Sequence, residues 1–144
     1  MLLLVRHAAV VVDPAVPSRE WPLSAQGRGA ATALSLPAGA ALASPEQKAR
    51  DTARLAGLDA EVDERLCEVD RPWSDAYPAL VGRYLAGEDV RGWEPREAAL
   101  ARMCAALDDF DGVAVSHGLV ISLYAGLGFA QWRALPFPAI VEAR

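Results

Sequence analysis

Short apolar runs alternate along this chain with longer stretches in which apolar and polar residues recur at helical spacing. Leu2-Leu3-Leu4-Val5 runs directly into Arg6 and His7. A run this short, bounded by charge, predicts a buried strand. Comparable runs are Ala40–Ala43, Ala60–Val62, Val113–Val115 and Ala139–Val141. Helices are predicted between them. One covers roughly 25–36 behind Ser24 as N-cap. A second starts at Ser44-Pro45-Glu46-Gln47, with Ser44 as cap, Pro45 in the first helical position and Gln47 in the reciprocal capping-box position, and runs to about Leu55 before Gly57. Residues 76–86 and 95–110 follow, the latter with a stripe of Leu100, Met103, Cys104, Leu107 and Phe110 that marks a core face. An apolar helix over Leu119–Leu127 completes the pattern. Strands alternating with helices predict an α/β fold with a largely parallel sheet. One domain over 1–144 is expected, with the least regular segment, 64–95, as the cap or rim of a site.

Composition narrows this little. Hydrophobic residues make up 53% of the 144, but many are alanine, which favours helix as much as core. The formal net charge of -5 speaks against a nucleic-acid partner, which would call for a basic face. It leaves room for a small basic pocket that holds an anion. Cys67 and Cys104 form no CxxC pair and read as buried free thiols. No apolar run reaches the roughly 18–20 residues of a membrane span. A cytoplasmic protein without a membrane partner is expected.

The chemistry centres on the chain's only two histidines. His7 and His117 each follow a short apolar strand, and each precedes a small residue, Ala8 or Gly118. In a parallel sheet both fall at the C-terminal edge, where open α/β folds keep their ligand crevices. The N-terminus of the helix after Ser44 faces the same edge and favours an anion. A neutral imidazole there can accept a phosphoryl group. Its three charged oxygens call for cations, which Arg6 and Lys48 supply, and for a further donor, which His117 supplies. A carboxylic acid must protonate the leaving oxygen and later activate water. Glu68 and Asp70 are the nearest candidates, and Glu94 is a third. This chemistry needs no cofactor and no metal.

With these residues in view, the chain resembles the histidine phosphatase superfamily, the phosphoglycerate-mutase-like fold. Leu4-Val5-Arg6-His7-Ala8 is similar to that family's Arg-His-Gly signature, and Pro22-Leu23-Ser24-x-x-Gly27-Arg28 to its Pro-Leu-Thr/Ser-x-x-Gly segment. Ser44-Pro45-x-x-Lys48-Ala49-x-x-Thr52-Ala53 resembles its Ser-Pro-x-x-Arg-Ala-x-x-Thr-Ala segment. Leu66-x-Glu68 resembles the acid-bearing segment, and Val115-Ser116-His117-Gly118 the second-histidine motif. The resemblance implies a three-layer α/β/α fold with one antiparallel edge strand. It implies His7 as the nucleophile that becomes phosphohistidine and Glu68 as general acid/base. Arg6 and His117 would bind the phosphoryl group, with Ser44 and its helix lining the pocket.

Two positions depart from the family pattern. Lys48 stands where the family has a second arginine, keeping the charge but not the planar fork. Arg50 points about 200° away around an ideal helix and is no substitute. Ala8 replaces the commoner glycine. The expected function is metal-independent phosphatase activity on a small phosphoester or a phosphorylated protein, with inorganic phosphate as product. A phosphate-binding pseudophosphatase and a mutase-type phosphotransferase remain open alternatives. The short rim segment favours hydrolysis over mutase chemistry. Trp21, Trp73, Trp93 and Tyr77 either pack on the core or wall the site.

Overall fold

A computed structural model describes all residues 1–144. The predicted strands are present as β1 (Leu2–Arg6), β2 (Ala41–Ala43), β3 (Glu61–Val62), β4 (Gly112–Ser116) and β5 (Ala139–Glu142). They form one sheet in the order β3-β2-β4-β1-β5. All neighbours are parallel except β5, which runs antiparallel to β1 along the edge. The helices are α1 (Ala25–Thr32), α2 (Gln47–Leu55), α3 (Tyr77–Leu85), α4 (Arg96–Leu107), α5 (Gly118–Ala125) and α6 (Phe129–Ala134). No helix is long and apolar enough to cross a membrane.

The two faces of the sheet bury separate cores, because successive strand residues point to opposite sides. Leu2, Leu4 and Ala114 pack with Val81, Tyr84, Met103, Leu107, Leu119 and Trp132 from α3 to α6. Val5, Val113, Val115 and Ala43 pack with Ala49 and Ala53 of α2 on the other face. The small residues of α2 let it lie close to the sheet. This two-sided burial is why β1 and β4 read as continuous apolar runs rather than alternating ones.

Four expectations shift. The first helix stops at Thr32, not near 36, and Leu34 and Leu36 turn back onto the α2 core. The helix expected from Ser44 starts at Gln47, and its N-cap Glu46 makes no side-chain cap bond. Helix α6 lacked a clear sequence signal: at six residues it is too short for a helical period to emerge. Cys67 and Cys104 are free but only partly buried, Cys67 because its segment lies over the sheet end and Cys104 because it sits at the margin of the α4 stripe.

The loop after β1 is tied down by α1. Ser24 Oγ accepts from Gly27 N, and the Ala9 carbonyl accepts from Ser24 N at 2.9 Å. A Cβ at Gly27 would lie 2.1 Å from the Ala9 oxygen, whereas one at Gly29 would meet nothing within 4 Å. Gly27→Ala should therefore destabilise the protein by about 1–3 kcal/mol through overpacking. Gly29→Ala should stabilise it by about 0.5–1 kcal/mol by reducing unfolded-state freedom. Urea unfolding of both variants checks the pair, and equal effects would contradict the packing argument.

Candidate active site

The parallel register of β1 and β4 builds the site. Arg6 lies opposite Ser116, and His7 N donates to the Ser116 carbonyl at 3.1 Å. The next residue on each strand is a histidine. Their ring centroids stand 5.2 Å apart at 58°. On the other side of β4, Ala43 pairs with Val115 and Ser44 N donates to the Val115 carbonyl. Three strand ends thus deliver His7, His117 and Ser44 to one place. Arg6, His7, Ser44, Glu46, Lys48 and His117 are all buried there.

Nδ1 of His7 lies 2.8 Å from the Ala8 carbonyl oxygen. A carbonyl only accepts, so Nδ1 carries the proton and donates, which leaves the lone pair on Nε2. Ala8 N in turn donates to Thr52 Oγ1 at 3.0 Å, and the Thr52 hydroxyl donates to the Lys48 carbonyl on α2. Ala8 is fully buried, and its methyl joins a small cluster with Leu23 and Ala31. Burial holds the His7 imidazole well below its ordinary pKa, with His117, Lys48 and Arg6 acting in the same direction. His7 is neutral at pH 7, with its Nε2 lone pair available.

The Arg6 guanidinium stacks 3.4 Å from the centroid of the Phe137 ring, and its Nη1 donates to the Leu135 carbonyl at 2.7 Å. Its Nε is buried without a protein partner. A Cβ at Gly118 would lie 2.7 Å from the guanidinium, so the glycine after His117 is required by Arg6. Burial lowers the Arg6 pKa, and the Glu68 carboxylate opposes this.

The second wall differs from expectation. Ser44 does not cap α2 in the expected way; its Oγ accepts from Glu46 N and lies 2.8 Å from His117 Nε2. Lys48 does lie in the first turn of α2, but its Nζ donates to Ser18 O and Ser18 Oγ at 2.8 and 2.7 Å. Its remaining partner is Glu46, at 3.5 Å. Glu46 is the residue that sequence reasoning missed. Its carboxylate is buried, 3.1 Å from His117 Nε2, and accepts from Glu68 N at 2.9 Å. Burial, helped by Lys48, Arg71, Arg102 and Arg6, holds His117 well below its ordinary pKa. His117 is therefore neutral: its Nε2 is hydrogen-bonded with Ser44 Oγ, and the Glu46 carboxylate 3.1 Å away is a polar contact rather than an ion pair. Arg50 faces away and lines an open groove of about 690 Å³ that includes neither histidine.

Of the carboxylate candidates, Glu68 lies at the site. It accepts from Leu119 N, Val120 N and its neighbour Val69 N, at 3.0, 2.9 and 2.8 Å. It thereby serves the N-terminus of α5, directly after His117. Arg102 of α4 fixes its segment, donating to the carbonyls of Arg65, Cys67 and Glu68. Glu94 is occupied by a two-bonded pair with Arg102, and Asp70 is exposed. Nothing in the sequence marks Arg102, because besides Glu94 its partners are backbone carbonyls 34–37 residues away. The aromatic residues divide. Tyr77 and Trp93 stack at 5.8 Å in the core, whereas Trp21 and Trp73 pair edge-on at the rim, with Lys48 Nζ 5.1 Å from the Trp21 ring.

No family model matches the sequence, and no curated relative does. Solved structures do. The crystal structure of TTHB049 from Thermus thermophilus is 26% identical, with a TM-score of 0.70 over 88% of this chain and 85% of that one. A phosphoglycerate mutase from the same organism is also 26% identical, with a TM-score of 0.67 over 86% and 81%. The chain has the fold of the histidine phosphatase superfamily. The mycobacterial glucosyl-3-phosphoglycerate phosphatase Rv2419c shares that fold at 24% identity, with a TM-score of 0.62 over 94% of this chain and 84% of that one. The neighbours thus include both a mutase and a phosphatase.

Two buried neutral histidines make stability depend on pH. Both have folded-state pKa values below the ordinary 6.5. The unfolded chain therefore takes up protons first as pH falls. The stability present above about pH 6.5 is lost below it, by about 1.4 kcal/mol per pH unit for each histidine that stays neutral in the fold. Urea titrations between pH 7.5 and 5.5 should show this slope, and His117→Gln should remove about half of it. A flat profile would contradict the neutral assignment.

Proposed function

We propose that this protein is a metal-independent phosphatase acting through a phosphohistidine at His7, on a small phosphoester or a phosphorylated protein side chain. The observation that carries the reading is the free Nε2 lone pair of a neutral His7, fixed by Nδ1–H on the Ala8 carbonyl among buried cations. Nε2 attacks phosphorus, and the bond from phosphorus to the ester oxygen breaks. The leaving oxygen takes a proton from the acid, assigned to Glu68. Water then attacks phosphohistidine, giving its proton to that carboxylate, and inorganic phosphate departs. Arg6 and Lys48 offset the charge on the phosphoryl oxygens, and His117 supplies a neutral donor.

A mutase-type phosphotransferase is the second reading, favoured by the likeness to a phosphoglycerate mutase. Against it stands the short segment over the sheet end, where only α3 and irregular chain are available as a cap. A phosphate-binding pseudophosphatase is the third, and Lys48 bound to Ser18 is its specific support.

Wild-type protein should hydrolyse p-nitrophenyl phosphate without added metal, and His7→Ala should reduce this by about a thousandfold or more. Vanadate binding without turnover would favour the pseudophosphatase. Glu68→Gln should lower turnover on an alkyl phosphate by about 10²–10⁴-fold, with a smaller effect on p-nitrophenyl phosphate, whose leaving group needs little protonation. Full alkyl phosphate turnover in Glu68→Gln would move the acid role elsewhere. Lys48→Arg with equal or lower turnover would indicate that lysine is matched to this site.

A further inference from the structure

Glu46 has no part in the mechanism above, yet its carboxylate lies against two of the site's donors, His117 and Lys48. His117 Nε2 is hydrogen-bonded with Ser44 Oγ at 2.8 Å, and Glu46 Oε2, which can only accept, lies 3.1 Å from the same nitrogen, which favours the ring proton on Nε2. The backbone N–H of Glu68 donates to the same oxygen at 2.9 Å. Lys48 has three N–H groups. Two are taken by Ser18, and the third is left for Glu46 Oε1 at 3.5 Å. A side chain, a backbone amide and an ammonium from three segments therefore converge on one buried carboxylate. These donors suit the edge of any two-oxygen anion, and a phosphoryl group presents the same edge.

Every one of these donors would have to release Glu46 before it could bind a phosphoryl oxygen. The histidine expected to bind phosphate has this carboxylate 3.1 Å from its Nε2 instead. His7 and His117 are 6% and 1% exposed, so the site is closed in this state. Glu46 lies between β2 and α2, where its backbone is extended with ψ 138° and lies outside the helix. Its side chain is therefore held by the site's own donors rather than by the α2 hydrogen-bond ladder.

We propose that Glu46 is an affinity-determining residue: its carboxylate lies against His117 and Lys48, two of the groups proposed to bind the phosphoryl oxygens, as an internal competitor that a substrate's phosphoryl group must displace. The inference rests on the phosphate-binding reading of the site. Such a competitor weakens apparent anion affinity by the fraction of time it holds the donors. It disfavours weakly held anions such as free phosphate, and favours substrates whose remaining parts add binding of their own.

The test uses inorganic phosphate and orthovanadate as probes, with calorimetry on wild-type, Glu46→Gln and Glu46→Ala proteins, and p-nitrophenyl phosphate turnover alongside. Glu46→Gln retains the shape and an acceptor for the Glu68 amide, so it guards against a folding defect in the alanine variant. Both variants should bind phosphate at least about tenfold more tightly, with KM for p-nitrophenyl phosphate falling and kcat maintained. Unchanged or weaker phosphate binding in a folded Glu46→Gln protein would overturn the proposal and leave Glu46 as a neutralising partner of Lys48. A fall in kcat with unchanged KM would overturn it in favour of a catalytic carboxylate. The phosphatase reading fails separately, if turnover survives His7→Ala. Tighter phosphate in the Glu46 variants without turnover in any protein would uphold the competitor and remove the enzyme.

Discussion

The pairing register of β1 with β4 is the constraint on which the rest depends. Arg6 opposite Ser116 leaves His7 and His117 as the next residues at one sheet edge. A slip of one residue would turn every side chain of β1 to the other face, exchanging the Leu2 and Leu4 core for that of Val5. Both faces of β1 are apolar, so alternation alone does not fix the register. The His7 amide extends the ladder one residue beyond β1 onto the Ser116 carbonyl, while the Ser116 hydroxyl ties the end of β4 to the Leu66 carbonyl at 2.7 Å. The hydrogen bonds that set the register therefore also assemble the candidate site.

Burying so many polar groups costs free energy unless each finds a partner. Here the partners are largely backbone. The Ala8 carbonyl takes the His7 ring proton, and the Leu135 carbonyl takes Arg6. The Ser18 carbonyl and hydroxyl take Lys48, and three amides hold Glu68. Nδ1 of His117 and Nε of Arg6 are the exceptions, buried without protein partners. These two orphaned nitrogens belong to residues that the proposed function has binding the phosphoryl group, and neutral imidazoles there avoid burying two further positive charges beside Arg6 and Lys48.

Much of this was legible in the sequence, because strands buried on both faces and capped helices leave local signals. Leu2–Val5 and Val113–Val115 marked β1 and β4, and the paired histidines marked the edge. Gly27 and Gly118 stand where the family motifs place them, and the structure supplies the reason: the Ala9 carbonyl and the Arg6 guanidinium occupy the space a Cβ would need. Contacts across long sequence separations were not legible. Lys48 reaching Ser18 depends on the fold of the loop after β1. Ser44 looked like a helix cap because Ser-Pro-x-Gln has that chemistry, yet His117, 73 residues away, engages its hydroxyl. Glu46 was hidden for the same reason, since a glutamate before a helix is ordinarily exposed there.

The central claim is that His7 is a neutral imidazole with its proton on Nδ1 and its lone pair on Nε2. The chain has only two histidines, so long-range ¹H–¹⁵N spectra of the imidazole rings, assigned with the His117→Gln variant, test it directly. At pH 7 the account predicts the Nδ1–H tautomer for His7 and the Nε2–H tautomer for His117. A His7 ring protonated on Nε2, or present as imidazolium, would contradict it.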